Sequence, residues 1–142
     1  MNNMKKKKPA AKQPKKASAK RAAMPTFYAV DEEMKHRASL LEAELSAWPG
    51  VKTKPMFGMV GFFRRNSIFA AVPRTRTLRS PQSIILKFDP VPAALTEKIK
   101  AEPRIADRAP GPGKGWHAFA IVSTEDIKDA LWWLNQAYEH IR

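Results

Sequence analysis

The chain of 142 residues holds 26 Lys and Arg against 13 Asp and Glu, a formal net charge of +13. Its length fits one domain with a tail, and 44% hydrophobic residues are enough for an ordinary globular core. The absence of cysteine excludes disulfides, thiolate metal ligands and a cysteine nucleophile, and it favours a reducing, cytoplasmic setting.

The first 24 residues form a basic segment with nine Lys or Arg, no acid and almost no apolar bulk. Such a segment cannot offset the entropy of ordering, so the sequence predicts a disordered tail over residues 1–24 ahead of a single domain over residues 25–142. No apolar run is long enough for a secretory signal or a membrane span. The tail lysines predicted to contact an anionic polymer are Lys5, Lys6, Lys7, Lys8, Lys15 and Lys16.

The segment after the tail has the pattern of an amphipathic helix over residues 32–47. Asp31 is a suitable N-cap, with two glutamates in the first turn. Apolar residues then recur three and four positions apart from Met34 to Trp48, and Pro49-Gly50 ends the pattern.

Short β-type runs follow over residues 53–56, 59–64, 67–72 and 83–88. The spacing of the second and third runs predicts a hairpin with its turn at Arg65-Asn66-Ser67. Residues 51–88 contain eight Lys or Arg and no acid. The second block of positive charge therefore coincides with the predicted sheet.

The last third of the chain predicts a helix over residues 92–101, a loop over 104–115, a strand over 116–122 and a helix that begins at Ser123. The whole order favours an α+β fold, with an antiparallel sheet of four to five strands flanked by about three helices. No motif with metal-ligand spacing is present, and no cofactor is predicted.

The arginines near the predicted hairpin are candidate anion ligands, because a guanidinium offers a planar fork to phosphate. The alternative is an ordinary solvated basic surface. Phe62, Phe63 and Phe69 could offer stacking platforms, although their spacing suits a hydrophobic sheet better. The arginines predicted to contact nucleic acid are Arg64, Arg65, Arg74, Arg76 and Arg79.

A second hypothesis places an enzyme active site or a small-molecule pocket between the sheet and the 104–115 loop. Its candidate residues are Arg74, Trp116 and His117. The simpler interpretation of His117 is a partly buried, hydrogen-bonded residue, since no partner for a general base is evident.

A third hypothesis concerns Trp132, which a helical wheel places nearly opposite the apolar stripe of the last helix. An exposed tryptophan marks a partner surface, here a homodimer contact, unless the ring packs on another element of the same chain.

Six short motifs that occur in order along the chain are Trp48-Pro49-Gly50-Val51, Met56-Phe57-Gly58, residues 69–76, 83–88, 115–119 and 129–138. Together they resemble the small bacterial luciferase-family (luciferase-domain) proteins over residues 32–142. The layout and the Met56-Phe57-Gly58 turn are more loosely similar to the N-terminal domain of TfoX-type competence regulators and to YjbR-like domains. The resemblance implies no set of catalytic residues, and His117 stands where a tyrosine or an aliphatic residue is expected.

These observations favour a non-enzymatic binding module whose basic tail and surface contact nucleic acid or another polyanion. The alternative is the small-molecule-binding domain or enzyme with its pocket at Trp116 and His117.

Overall fold

The computed structural model describes residues 26–88, 90–106 and 115–141. These segments form the predicted α+β fold, with three helices, a five-stranded antiparallel sheet and a further sheet of two strands. The helices are α1 (Glu32–Ser46), α2 (Ala93–Ala101) and α3 (Asp126–Glu139). The strands are β1 (Phe27–Ala29), β2 (Val51–Met56), β3 (Met59–Arg64), β4 (Ser67–Pro73), β5 (Arg76–Leu78), β6 (Ser83–Lys87) and β7 (Trp116–Ala120). The predicted tail, and residues 107–114 of the predicted loop, lie outside the described residues.

Helix α1 begins and ends for the reasons visible in its sequence. The Asp31 carboxylate accepts a hydrogen bond from the backbone N–H of Met34 at 2.8 Å, which satisfies one of the free amides of the first turn. The side chains of Met34, Ala38, Leu41 and Leu45 are all buried, so the apolar stripe is the face that packs on the sheet. The helix ends at Ser46, one residue before the predicted end.

The larger sheet has the strand order β2-β3-β4-β6-β7, and every neighbouring pair is antiparallel. Its first two hairpins close through two-residue turns, Phe57-Gly58 and Arg65-Asn66, in which both residues have positive φ. This conformation matches the twist of the flanking strands. Strands β4 and β6 pair only at Ala70↔Leu86 and Ala71↔Ile85, so the ladder between them is short.

Three predictions about local structure were wrong. Strands β1 and β5 were missed because each has three residues and pairs with a distant segment, Tyr28 opposite Thr77. Part of the predicted 104–115 loop is extended, since Ile105 forms a β-bridge with Phe119. Helix α3 begins at Asp126 rather than Ser123, because residues 123–125 form a turn before it.

The helices cover one face of the larger sheet. Alternate strand residues such as Phe62, Val72, Leu86 and Phe119 are buried there beneath the apolar stripes of α1 and α3. The opposite face holds a smaller buried cluster of Met59, Ala71, Ile85 and Ala118, against which Leu78, Ala106 and Trp116 pack. No helix of the described segments belongs to that cluster.

Candidate nucleic-acid interface

The surroundings of Gly61 show which side chains lie on the face of the sheet opposite the helices. A Cβ on Gly61 would lie 2.5 Å from Sδ of Met56 and 3.2 Å from side-chain carbons of Phe63 and Ile68. These three side chains therefore converge over the glycine on the side away from the helices. Because side chains alternate along a strand, Lys54 and Lys52 of β2 point to the same side as Met56.

The side chains on this face lie in two groups, one on each side of the point where β4 and β6 stop pairing. The register places Lys52 opposite Phe63, and Phe63 opposite Ile68. On the other side of the short β4–β6 ladder, Lys87 lies opposite Trp116. Lys52 is exposed, and the other four are half-buried. We call these residues, together with the exposed Lys54 in the next register position, the open row: Lys52, Lys54, Phe63, Ile68, Lys87 and Trp116.

The open row pairs cations with rings. The ammonium of Lys54 lies 5.5 Å from the centre of the Phe63 ring, and that of Lys87 lies 5.0 Å from the Trp116 ring. Such contacts at exposed sites contribute about 0.5–1 kcal/mol. Among the described residues none of the three ammonium groups of the open row forms an ion pair with a carboxylate.

Charge is divided between the layers of the fold. The seven strands of the described segments contain no Asp or Glu, and five Lys or Arg. The three helices contain eight acids and five bases. The strands are thus cationic and the helices mildly acidic, although one of the five strand bases, Arg64, turns towards α3.

The predicted arginines do not form one cluster. Arg64 and Arg65 lie at the β3–β4 turn, whereas Arg74, Arg76 and Arg79 follow β4. Seven strand residues separate the two groups, which places them about 20 Å apart. The short distance along the sequence is therefore misleading, because an extended strand carries the chain from one end of the sheet to the other.

Arg64, Arg74 and Arg76 each donate a hydrogen bond to another part of the described chain. Arg64 donates to the carbonyl of Tyr138 at 2.7 Å, and its guanidinium lies 4.1 Å from the centre of that ring. Arg74 donates to the Glu42 carboxylate at 2.8 Å. Arg76 donates to the Phe57 carbonyl at 2.9 Å. These three hydrogen bonds hold turns and helices against the sheet. Arg65 and Arg79 are exposed and have positive φ, +53 and +76.

Arg74, Trp116 and His117 do not converge on one pocket. Trp116 and His117 are consecutive in β7, so their side chains point to opposite faces of the sheet. The His117 ring lies against Phe88 on the helical side, and its Nδ1 donates to the Gly115 carbonyl at 3.0 Å. Burial lowers the pKa of His117, although that hydrogen bond opposes the shift. Arg74 follows the last residue of β4 and binds Glu42 of α1, so it lies apart from both Trp116 and His117.

The described part of the chain has cavities elsewhere. One of about 400 Å³ lies between α2 and α3, with Lys98, Glu102, Arg104 and Trp132 in its lining. Another of about 450 Å³ lies between the C-terminal end of α3 and the point where β4 and β6 separate, and its lining includes Ala137, His140, Ile68 and Lys87. Neither is lined by Arg74, Trp116 or His117.

Trp132 projects from α3 as the sequence predicts. Its side chain is 43% exposed, while the adjacent Trp133 is buried and meets it edge-to-face at 4.9 Å. The ammonium of Lys98 on α2 lies 5.8 Å from the centre of the Trp132 ring. The ring therefore contacts its own chain on one side and remains open on the other.

The fold and this surface define an α+β domain with one cationic sheet face. Comparison with models of known families, with curated proteins and with solved structures gave no match. No group of three or more His, Asp or Glu among the described residues is placed to hold a metal ion. None of the described helices has the length and apolar character needed to cross a membrane.

Sequence reasoning named Phe63 as a possible stacking platform but did not name the lysines of the open row as binding residues. The signal was present in β2, where Lys52 and Lys54 stand two residues apart and therefore share a face. Lys87 and Trp116 gave no such signal, because only the β6–β7 register brings them together.

Proposed function

We propose that this chain is a non-enzymatic module that binds nucleic acid through the cationic face of its sheet. The observation that carries the proposal is the open row, in which three lysines lie among apolar side chains on a face whose strands hold no acid. The charge of the sequence favours the same function. The residues proposed to contact the nucleic acid are now Lys52, Lys54 and Lys87 rather than the arginines.

The physical basis is the release of counterions from the phosphate backbone. Each lysine that neutralises a phosphate frees a condensed cation, so affinity depends steeply on salt and little on sequence. The fixed β-sheet holds the three ammonium groups on one face, which limits the entropy lost on binding. In the proposal the tail lysines add further sequence-independent contacts, and the cytoplasm is the setting.

The arginines have a smaller part in this proposal. Arg65 and Arg79 would add contacts at opposite ends of the sheet, and Arg76 at the β4 end. Arg74 would have to leave Glu42, whose hydrogen bond raises the pKa of its guanidinium. Substitution of Arg74 is therefore expected to change binding less than substitution of Lys52.

The salt dependence of binding tests the proposal. Lys52, Lys54 and Lys87 are changed together to Gln in the full chain, and binding to a duplex DNA is measured over a salt series. Each lost phosphate contact should reduce the slope of log K against log salt by about 0.9, so the slope should fall by roughly 2 to 3.

The matched control changes one lysine on each helix, Lys35, Lys100 and Lys128, to Gln. Both variants lose the same formal charge, so only the position of the charge differs. The control slope should stay close to that of the parent chain. Equal slopes for the two variants, or no binding by the parent at low salt, would refute the proposal.

We also propose, from the resemblance of its motifs, that the chain belongs to the luciferase-family proteins. This assignment carries no residue onto the open row and no reaction onto the chain. The proposed binding function depends on the sheet face and stands apart from that assignment.

We also propose that Trp132 mediates a homodimer contact, which the open side of its ring supports. Light scattering at matched concentrations should show a dimer for the parent chain and a monomer for Trp132→Ala. The same monomeric mass for both would exclude this contact.

A further inference from the structure

The two aromatic rings of the open row suggest which form of nucleic acid it binds. Phe63 and Trp116 lie on the face opposite the helices, each half-buried and each beside an ammonium group, and Trp116 also packs against the small buried cluster of that face. A nucleotide presents a flat π face on its base and a negative charge on its phosphate. A ring next to a mobile cation complements both, because the lysine can leave the ring for the phosphate while a base stacks in its place.

The spacing of the rings shows how many bases can be involved. Phe63 is on β3 and Trp116 on β7, with β4 and β6 between them. Three spacings of paired strands amount to about 14 Å, and the separation of β4 and β6 at this level makes the distance longer. That distance is too long for one base to touch both rings, so each ring would take a different base.

A duplex cannot make these contacts without being opened. Its bases are paired and stacked on one another, and only their edges are accessible in the grooves. Stacking on a flat protein surface therefore requires unpaired bases. Phe62 and Phe69, in contrast, are fully buried on the helical side and can take no base.

We propose that the open row binds single-stranded nucleic acid, with one base on Phe63, another on Trp116 and phosphates at Lys52, Lys54 and Lys87. Between the two rings β4 and β6 stop pairing, and the cavity there is lined by Ile68 and Lys87 together with Ala137 of α3. This inference rests on the proposed function and narrows it, since charge alone would serve single strands and duplexes alike.

The test compares strands that share phosphates and differ in bases. Binding of the full parent chain is measured to an oligothymidylate, to an abasic strand of equal length and to a duplex. The thymidine strand should bind about tenfold or more tightly than the abasic strand. This comparison needs no substitution and so cannot be confounded by misfolding.

Two variants then assign the effect to the rings. Phe63→Leu and Trp116→Leu keep apolar bulk and remove the π face, and each should weaken oligothymidylate binding roughly 5- to 100-fold with abasic binding unchanged. The control is Phe57→Leu, since Phe57 is 69% exposed in the β2–β3 turn, away from the open row. It should bind the thymidine strand like the parent chain.

Equal affinity of the parent chain for the thymidine and abasic strands would overturn this inference. So would leucine variants at Phe63 and Trp116 that behave like Phe57→Leu. In either case salt-dependent binding that needs the three lysines would leave the proposed function standing. Loss of all binding at low salt would refute both.

Discussion

Replacing Arg104 with Ala is expected to lower the free energy of unfolding by about 2 to 3 kcal/mol at neutral pH. Arg104 lies in the extended segment beside β7, and its guanidinium binds Glu102 at 2.7 Å and both Asp126 and Asp129 of α3 at 3.0 Å. The side chains of Arg104, Glu102 and Asp126 are only 29%, 15% and 14% exposed. Removing the cation therefore leaves the poorly hydrated carboxylates of Glu102 and Asp126 without the positive charge that neutralises them.

The pKa shifts of these carboxylates have the same origin. The hydrogen bond from Arg104 lowers the pKa of Glu102. Burial by itself would raise the pKa of Asp126, but hydrogen bonds from the Val122 backbone N–H, the Arg104 guanidinium and the Ser123 backbone N–H bring it below its ordinary value. Hydrogen bonds to the carboxylates raise the pKa of Arg104, which therefore stays charged.

The effect of Arg104→Ala should depend on pH. Because the folded-state carboxyl pKa values are depressed, their stabilisation is complete above the unfolded value of about 4 and is lost as pH falls through the folded values. Urea denaturation of both proteins should show a constant difference near neutral pH that shrinks below about pH 4. Arg74→Ala is the control, since it removes a single ion pair with Glu42 in which the arginine is 56% exposed, and it should cost less than about 1 kcal/mol. Equal destabilisation by the two substitutions would contradict this account.

Replacing Gly115 with Ala is expected to cost about 3 kcal/mol or more. Gly115 has φ +90, and a Cβ there would overlap the carbonyl oxygen of Phe88. The two backbones are held together, since the Phe88 N–H donates to the Gly115 carbonyl at 2.8 Å. An alanine at this position must change either the left-handed backbone conformation or the contact with Phe88. Either change would displace the backbone next to Trp116.

Gly50→Ala is the matched control for Gly115→Ala. Gly50 also has positive φ, +75, but nothing lies within 4 Å of the position that a Cβ would occupy there. It should cost only the conformational strain, about 1 to 2 kcal/mol. Thermal or urea denaturation compares the two variants. A Gly115→Ala variant as stable as Gly50→Ala would show that the close approach to Phe88 is not maintained.

The elements that could be predicted are those whose signal lies in neighbouring residues. The stripe from Met34 to Leu45 and the Asp31 cap define α1 locally, and the alternation in β3 and β4 predicts their hairpin. Strands β1 and β5 carry no such signal, because three residues cannot establish a period and their partners are remote in sequence. Ile105 likewise becomes extended only through its bridge to Phe119.

The candidate site could be predicted only as a region. An acid-free stretch over residues 51–88 indicates a basic surface, but the face on which each cation lies depends on the pairing of strands. Arg64 is the clearest example, since Tyr138, 74 positions later in the chain, accepts its hydrogen bond. Lys52 and Lys87 come to lie in one row only because the strands between them pair in this order and register.

The most direct measurement of the central claim is the affinity for nucleic acid of the two triple variants at one low salt concentration. If the open sheet face is the binding surface, Lys52→Gln with Lys54→Gln and Lys87→Gln should weaken binding about tenfold or more relative to Lys35→Gln with Lys100→Gln and Lys128→Gln. The helix variant should bind like the parent chain. Equal loss in both variants would show that net charge alone drives binding and would contradict the assignment of the sheet face.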